Sequence, residues 1–137
     1  MPRRSPGEIR KQLPRRINRG SRASIRGLSP SASRQIAAFE RQRGLHPGDV
    51  AHAFRAWSQA LRRLGPHDEL SHGCGTTGWR DMHARTMLEA VLHSMKRRAR
   101  RELRVAVSPL DARYLAKTLN DPFAPPDLPW WKCRIRT

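Results

Sequence analysis

The stretch "DVAHAFRAWSQALRRLG", residues 49–65, decides the fold class. Val50, Ala53, Phe54, Trp57, Leu61 and Leu64 recur at i, i+3, i+4, i+7, i+11 and i+14. With about 100° between successive residues, these positions gather on one side of an α-helix. His46-Pro47-Gly48-Asp49 supplies a start signal and Gly65-Pro66 a stop. This is the clearest periodic signal in the chain, and it is helical.

Weaker versions of the same pattern lie on either side. Ser29-Pro30 offers an N-cap followed by proline at the first helical position, and predicts a helix to about Arg43. Ala32, Ile36 and Phe39 share its apolar face, and Gly44 is placed to end it. A third helix is expected from near Asp81, with Ala84, Met87, Leu88, Val91 and Met95 inward. Asp81, Arg85 and Glu89, each four apart, read as ion pairs on its outer, solvated face. A fourth carries Ala99, Leu103, Ala106, Leu110 and Tyr114 on one side. Pro109 removes a hydrogen bond to Val105 and predicts a kink or two abutting helices, ending near Leu119 and Asn120. Between the second and third helices, residues 66–78 hold three glycines and read as a loop.

The two ends differ in kind. Residues 1–28 contain one acid, Glu8, and isolated apolar residues among recurrent proline and glycine. Such a segment buries too little surface to offset its ordering entropy, which predicts a disordered basic arm. The C-terminal "DPFAPPDLPWWKCRIRT", residues 121–137, is too proline-rich for a helix. It reads as an extended strap whose Phe123, Leu128, Trp130 and Trp131 lie across the helical body. The expected architecture is therefore all-α, a small bundle of four to five helices over residues 29–120 between a disordered basic arm and an extended aromatic strap.

Charge suggests the partner. The 137 residues carry 28 Lys and Arg against 11 Asp and Glu, a formal net charge of +17. The pI is about 11.8 and the mean hydropathy −0.75. A GC-rich genome explains arginine in place of lysine, but not the shortage of acid. The imbalance is concentrated in "KRRARRELR", residues 96–104, within the fourth helix. Arg97, Arg101 and Arg104 project away from the core stripe, flanked by Arg98 and Arg100, with Glu102 near the seam. Arg97–Arg101 and Arg100–Arg104 are like-charge pairs four apart, each unfavourable by about 0.2–0.5 kcal/mol. A helix that keeps them points to an external polyanion, and the guanidinium fork suits phosphate oxygens. The expected function is non-catalytic binding of RNA or DNA through Arg97, Arg98, Arg100, Arg101 and Arg104, assisted by Arg15, Arg16 and Arg19 of the arm. The second reading is an adaptor that docks an acidic partner protein with the same face or the strap.

Other chemistries are poorly provided for. His67, His72, Cys74 and His83 have ligand chemistry, but only His67–His72 has the spacing of a zinc-ligand pair and no C-x-x-C accompanies it, so no metal or other cofactor is expected. "ELSHGCGTTGW", residues 69–79, is similar to the turn of a helix-turn-helix, but Gly73 and Gly78 would fall inside its helices. Phosphate-binding loops, serine-hydrolase elbows and zinc-protease motifs are absent, which argues against an enzyme. No apolar run approaches the roughly 20 residues that span a bilayer, so no membrane partner is expected. The absence of a secretory apolar segment and the presence of only two cysteines point to a reducing, cytoplasmic setting.

Toward the C-terminus, "RELR" at 101–104, "PLDAR" at 109–113, "TLNDP" at 118–122 and "LPWW" at 128–131 follow one another. In this order the segment resembles small Arg-rich helical proteins of high-GC actinobacteria. That group has no established function, so the resemblance implies a bacterial cytoplasmic origin and a strap belonging to the fold, and no activity.

Overall fold

The computed structural model describes residues 24–63 and 79–136. Among these are four α-helices: α1 (Pro30–Gln42), α2 (Asp49–Arg63), α3 (Trp79–Ser94) and α4 (Arg97–Ala116). A short antiparallel ribbon joins β1 (Thr118–Asn120) to β2 (Arg134–Arg136), with Thr118 opposite Arg136 and Asn120 opposite Arg134. The expected all-α body is thus what the chain forms. Most of residues 1–28, the loop 66–78 and Leu64 lie outside the described residues. The last residues assigned to the arm belong to the body: Ile25 is buried, and Gly27 turns the chain at φ 86° before α1.

The helix ends are set locally. Ser29 is the N-cap of α1, its Oγ accepting the Ala32 N–H at 3.2 Å. Gly44, at φ 66°, follows the helix in the left-handed region that glycine adopts without strain. The start of α2 is capped from α1. The buried carboxylate of Glu40 accepts the Gly48 and Val50 N–H groups at 2.9 and 3.1 Å, placing negative charge at the positive end of the helix. Asp49 Oδ2 accepts the His46 N–H, closing the same turn.

α2 and α3 form the most extensive helix pair, and α4 packs against both and against α1. The α2 stripe is inside: Val50 and Trp57 are fully buried, Ala53 and Leu61 nearly so, and Phe54 partly. From α3, Ala84, Leu88, Val91, Leu92 and Met95 are buried. From α4 come Ala99, Leu103, Val107, Leu110 and Tyr114. Val107 takes the core place expected for Ala106, which is only partly buried.

α4 remains one helix through Pro109. The hydrogen bond that proline removes lies on the outer side, where Val105, Ser108 and Pro109 are all exposed, so water reaches the freed carbonyl. The helix stops at Ala116, earlier than expected, and Thr118–Asn120 is strand.

Arg85 also corrects the sequence reading. It is not on a solvated face: only 4% of it is accessible. Its Nε and Nη2 donate to Asp111 Oδ1 and Oδ2, both at 2.9 Å, and Nη1 donates to Glu89 Oε2 at 2.9 Å. Trp57 Nε1 donates to the same Asp111 Oδ1 at 3.0 Å. The guanidinium carbon lies 4.6 Å from the Trp131 ring centroid and 5.5 Å from that of Trp130. The Arg85–Glu89 spacing is legible in sequence; Asp111, 26 residues away, is not.

The strap closes over this group. Trp131 is buried in a 3-10 turn (Trp130–Lys132). Its carbonyl accepts the Tyr114 hydroxyl at 3.0 Å, and its Nε1 donates to Thr86 Oγ1 at 3.3 Å. Trp57, Tyr114, Trp130 and Trp131 form a chain of tilted or edge-on rings with centroids 5.0, 6.2 and 5.7 Å apart. The expected burial of the strap's apolar residues holds for Trp131 only. Trp130 and Leu128 are partly exposed, and Phe123 is 93% exposed at the tip of a turn in which Asp121 Oδ1 accepts its N–H.

Asp111→Ala leaves the Arg85 charge buried with one carboxylate, and should destabilise the fold by about 3–5 kcal/mol. Removal of residues 129–137 should also lower the melting temperature, because Trp131 and β2 go with it. Thermal unfolding followed by circular dichroism checks both.

Candidate nucleic-acid interface

The buried residues of α4 occupy an arc about 80° wide at 100° per residue. Arg97, Arg98 and Arg101 lie roughly opposite that arc and Arg104 at its flank; all four are exposed. Arg97, Arg101 and Arg104 follow one line, spaced i, i+4, i+7, and extend for about 10 Å along the helix at 1.5 Å per residue. Among the described residues, none of these three side chains takes part in a hydrogen bond or ion pair. Arg98 is 95% exposed, and its Nε approaches Glu102 Oε1 only to 3.9 Å. Such an exposed pair contributes little and leaves the guanidinium available.

Arg100 is the correction to this set. Its place in the helical rotation is beside the core arc, and its side chain turns back to the end of α3. Nε donates to the Leu92 carbonyl at 2.7 Å, and Nη2 donates to those of Met95 and His93 at 3.0 and 3.4 Å. Leu92 and His93 are among the last carbonyls of α3, left without helical partners at its negative end, and Met95 directly follows the helix. Arg100 thus serves the corner between α3 and α4, not an outside ligand.

The position of the cluster within α4 adds to its potential. The first turn contains no acid, and its N-cap, Lys96, makes no side-chain cap. Cations there oppose the helix dipole, where acids are the favourable choice. The Lys96 N–H is met instead by Gln35 Oε1 of α1 at 2.9 Å. The charge pattern was visible in the sequence. That it stands at a positive helix end depends on where α4 begins.

Glu102, the one acid beside the cluster, is engaged elsewhere. Its Oε2 accepts the Ser29 N–H at 2.9 Å, tying the entrance of α1 to the middle of the cationic segment. The backbone N–H of Ser29, then its side chain, and lastly the nearby Arg98 charge hold the carboxyl below its ordinary value of 4.5, against a smaller opposing effect of desolvation.

Arg15, Arg16 and Arg19 of the expected site lie outside the described residues, as do His67, His72 and Cys74. His83 is exposed on α3, and no group of three metal-ligating side chains occurs among the described residues. No helix among them is long and apolar enough to cross a membrane. No protein-family model matches the chain, and no curated protein or solved structure shows significant similarity to it.

A carboxylate with a lowered folded-state value stabilises above its unfolded titration, and that stabilisation is lost as the pH falls through the lowered value. Glu102 should therefore contribute fully at neutral pH and lose its contribution below pH 4.5. Glu102→Gln keeps an acceptor for Ser29 and removes the charge. It should flatten this part of the acid dependence of the melting temperature.

Proposed function

We propose that the chain binds nucleic acid, RNA or DNA, without catalysing a reaction on it, by contacts from Arg97, Arg98, Arg101 and Arg104 to phosphates. The observation that carries this reading is the exposed line Arg97, Arg101, Arg104, whose side chains are free of internal partners among the described residues and which begins at the positive end of α4. A phosphate chain answers both features, since guanidinium forks and helix N-termini each favour anionic oxygens. Nothing in this surface is arranged to read base edges, and binding of this kind is insensitive to sequence. The described chain enters α1 at Ser29, hydrogen-bonded to Glu102 of the cationic segment. Arg15, Arg16 and Arg19 lie 10–14 residues before Ser29 and add a second contact through effective concentration. The natural setting for such a protein is the cytoplasm.

A second reading is favoured by a different observation. Among the described residues, the exposed large apolar side chains, Val105, Leu115, Leu119 and Ile135 among them, all lie between residues 105 and 135. An acidic partner protein with an apolar anchor would engage both this surface and the arginines.

Salt titration separates the two. Four phosphate contacts from α4 give a slope of log K against log salt of about −3 to −4, and any contribution from the arm steepens it. Arg97→Gln, Arg101→Gln and Arg104→Gln together should reduce the slope by about 2–3 on random-sequence RNA or DNA. The melting temperature should stay equal or rise, because like charges are removed from the first turns. Absence of nucleic-acid binding at moderate salt, with capture of an acidic protein through the same residues, favours the second reading. A clear loss of melting temperature would mean that the arginines serve the fold.

A further inference from the structure

A cavity of about 350 Å³ opens between the residues preceding α1, α1 itself and the turn into α2. It is separate from the cationic face of α4 and uses none of its arginines. Its walls are largely apolar, formed by Ile25, Leu28, Ile36, Ala37, Leu45 and Ala51. Its size is near the lower end of the range for ligand pockets, about 300–1,000 Å³.

Its charged residues restrict the occupant. Glu40 is the one acid in the lining, and it is buried with Oε2 accepting the Gly48 and Val50 N–H groups. A cation or metal would have to break that cap to reach it. Arg34 and Arg41 also line the cavity; both are exposed, and neither side chain has a hydrogen bond or ion pair among the described residues. They are seven residues apart on α1, two turns along one face, so cationic groups stand about 10 Å apart along the opening. The Ser24 and Ser33 hydroxyls complete the polar part. A nucleic acid with stacked bases presents only phosphates and sugars to the apolar walls, and flipping a base into them costs a few kcal/mol. A second copy of a chain with net charge +17 would bring further cations to the same arginines.

We propose that this cavity binds a small anionic amphiphile, an apolar chain of medium length ending in a carboxylate. The chain lies against Ile25, Ile36 and Leu45, and the head is met by Arg34 or Arg41. The guanidinium–carboxylate contact at the mouth fixes the orientation, and burial of the chain supplies the affinity. The site is independent of the nucleic-acid reading.

Titration calorimetry of the full chain with decanoate, and with uncharged decanol for comparison, tests the proposal. Saturable one-to-one binding of decanoate is expected. Ala37→Trp fills the cavity and should weaken that binding at least tenfold, leaving affinity for random RNA unchanged. Arg34→Gln with Arg41→Gln, both at exposed positions, should weaken decanoate by about tenfold and bring it level with decanol. No saturable binding below the concentration at which decanoate forms micelles overturns the proposal. Binding unaffected by Ala37→Trp also overturns it, and would assign the ligand to the exposed apolar strap. If Ala37→Trp lowers the melting temperature, the double arginine variant decides: unchanged decanoate affinity there is equally fatal.

Discussion

A guanidinium can be buried only if each of its faces and edges is answered, and the body of this protein is arranged so that those of Arg85 are. Asp111 takes one edge with both oxygens, Glu89 takes another nitrogen, and Trp131 and Trp130 supply ring faces. This joins α3 to α4 and requires the strap to return, since the rings arrive from residues 130 and 131. Trp57 donates to the same Asp111, which brings in α2. The ribbon then fixes the returning strap. Arg134 donates through Nε to Thr118 Oγ1 at 2.7 Å, and Thr118 Oγ1 in turn donates to the Tyr114 carbonyl at 2.7 Å. A buried ion pair of this kind is no guarantee of high stability, because desolvation offsets much of the attraction. What it does impose is a single arrangement of the segments that meet it.

The same economy of acids explains the outer charge. Among the described residues Glu40 and Asp49 cap the turn into α2, Glu89 and Asp111 hold Arg85, Glu102 holds Ser29, and Asp121 holds the turn at Phe123. Glu89 also meets the exposed His93 at 3.2 Å. Nearly every described carboxylate therefore has an internal duty. The cationic surface of α4 follows from this allocation as much as from the number of arginines.

Local signals in the sequence were sufficient for the helices. Ser29-Pro30, Gly44 and the stripe from Val50 to Leu61 each depend on neighbours within a few turns, and each appears in the fold. The failures share a different cause. Arg85 looked solvated because its Glu89 partner is four residues away, whereas the groups that bury it come from positions 111, 130 and 131. Arg100 looked like its neighbours because composition does not record which carbonyls a preceding helix leaves open. Proline at 109 looked disruptive until its side of the helix was known. Of the candidate site, Arg97, Arg98, Arg101 and Arg104 were legible, since their exposure follows from helical phase alone. The cavity beside α1 was not, because residues 25–28 carry no periodic signal and become walls only through the turn at Gly27.

The contacts of Arg100 also bear on how α4 is presented. Only Met95 and Lys96 separate α3 from α4, and Met95 is buried. With Arg100 bound to three carbonyls across that elbow and Gln35 holding Lys96 from α1, the angle between the helices has little freedom. Whatever docks on the first turns of α4 meets a surface whose direction is already set. Association there loses little backbone entropy at this corner, which favours fast capture without refolding.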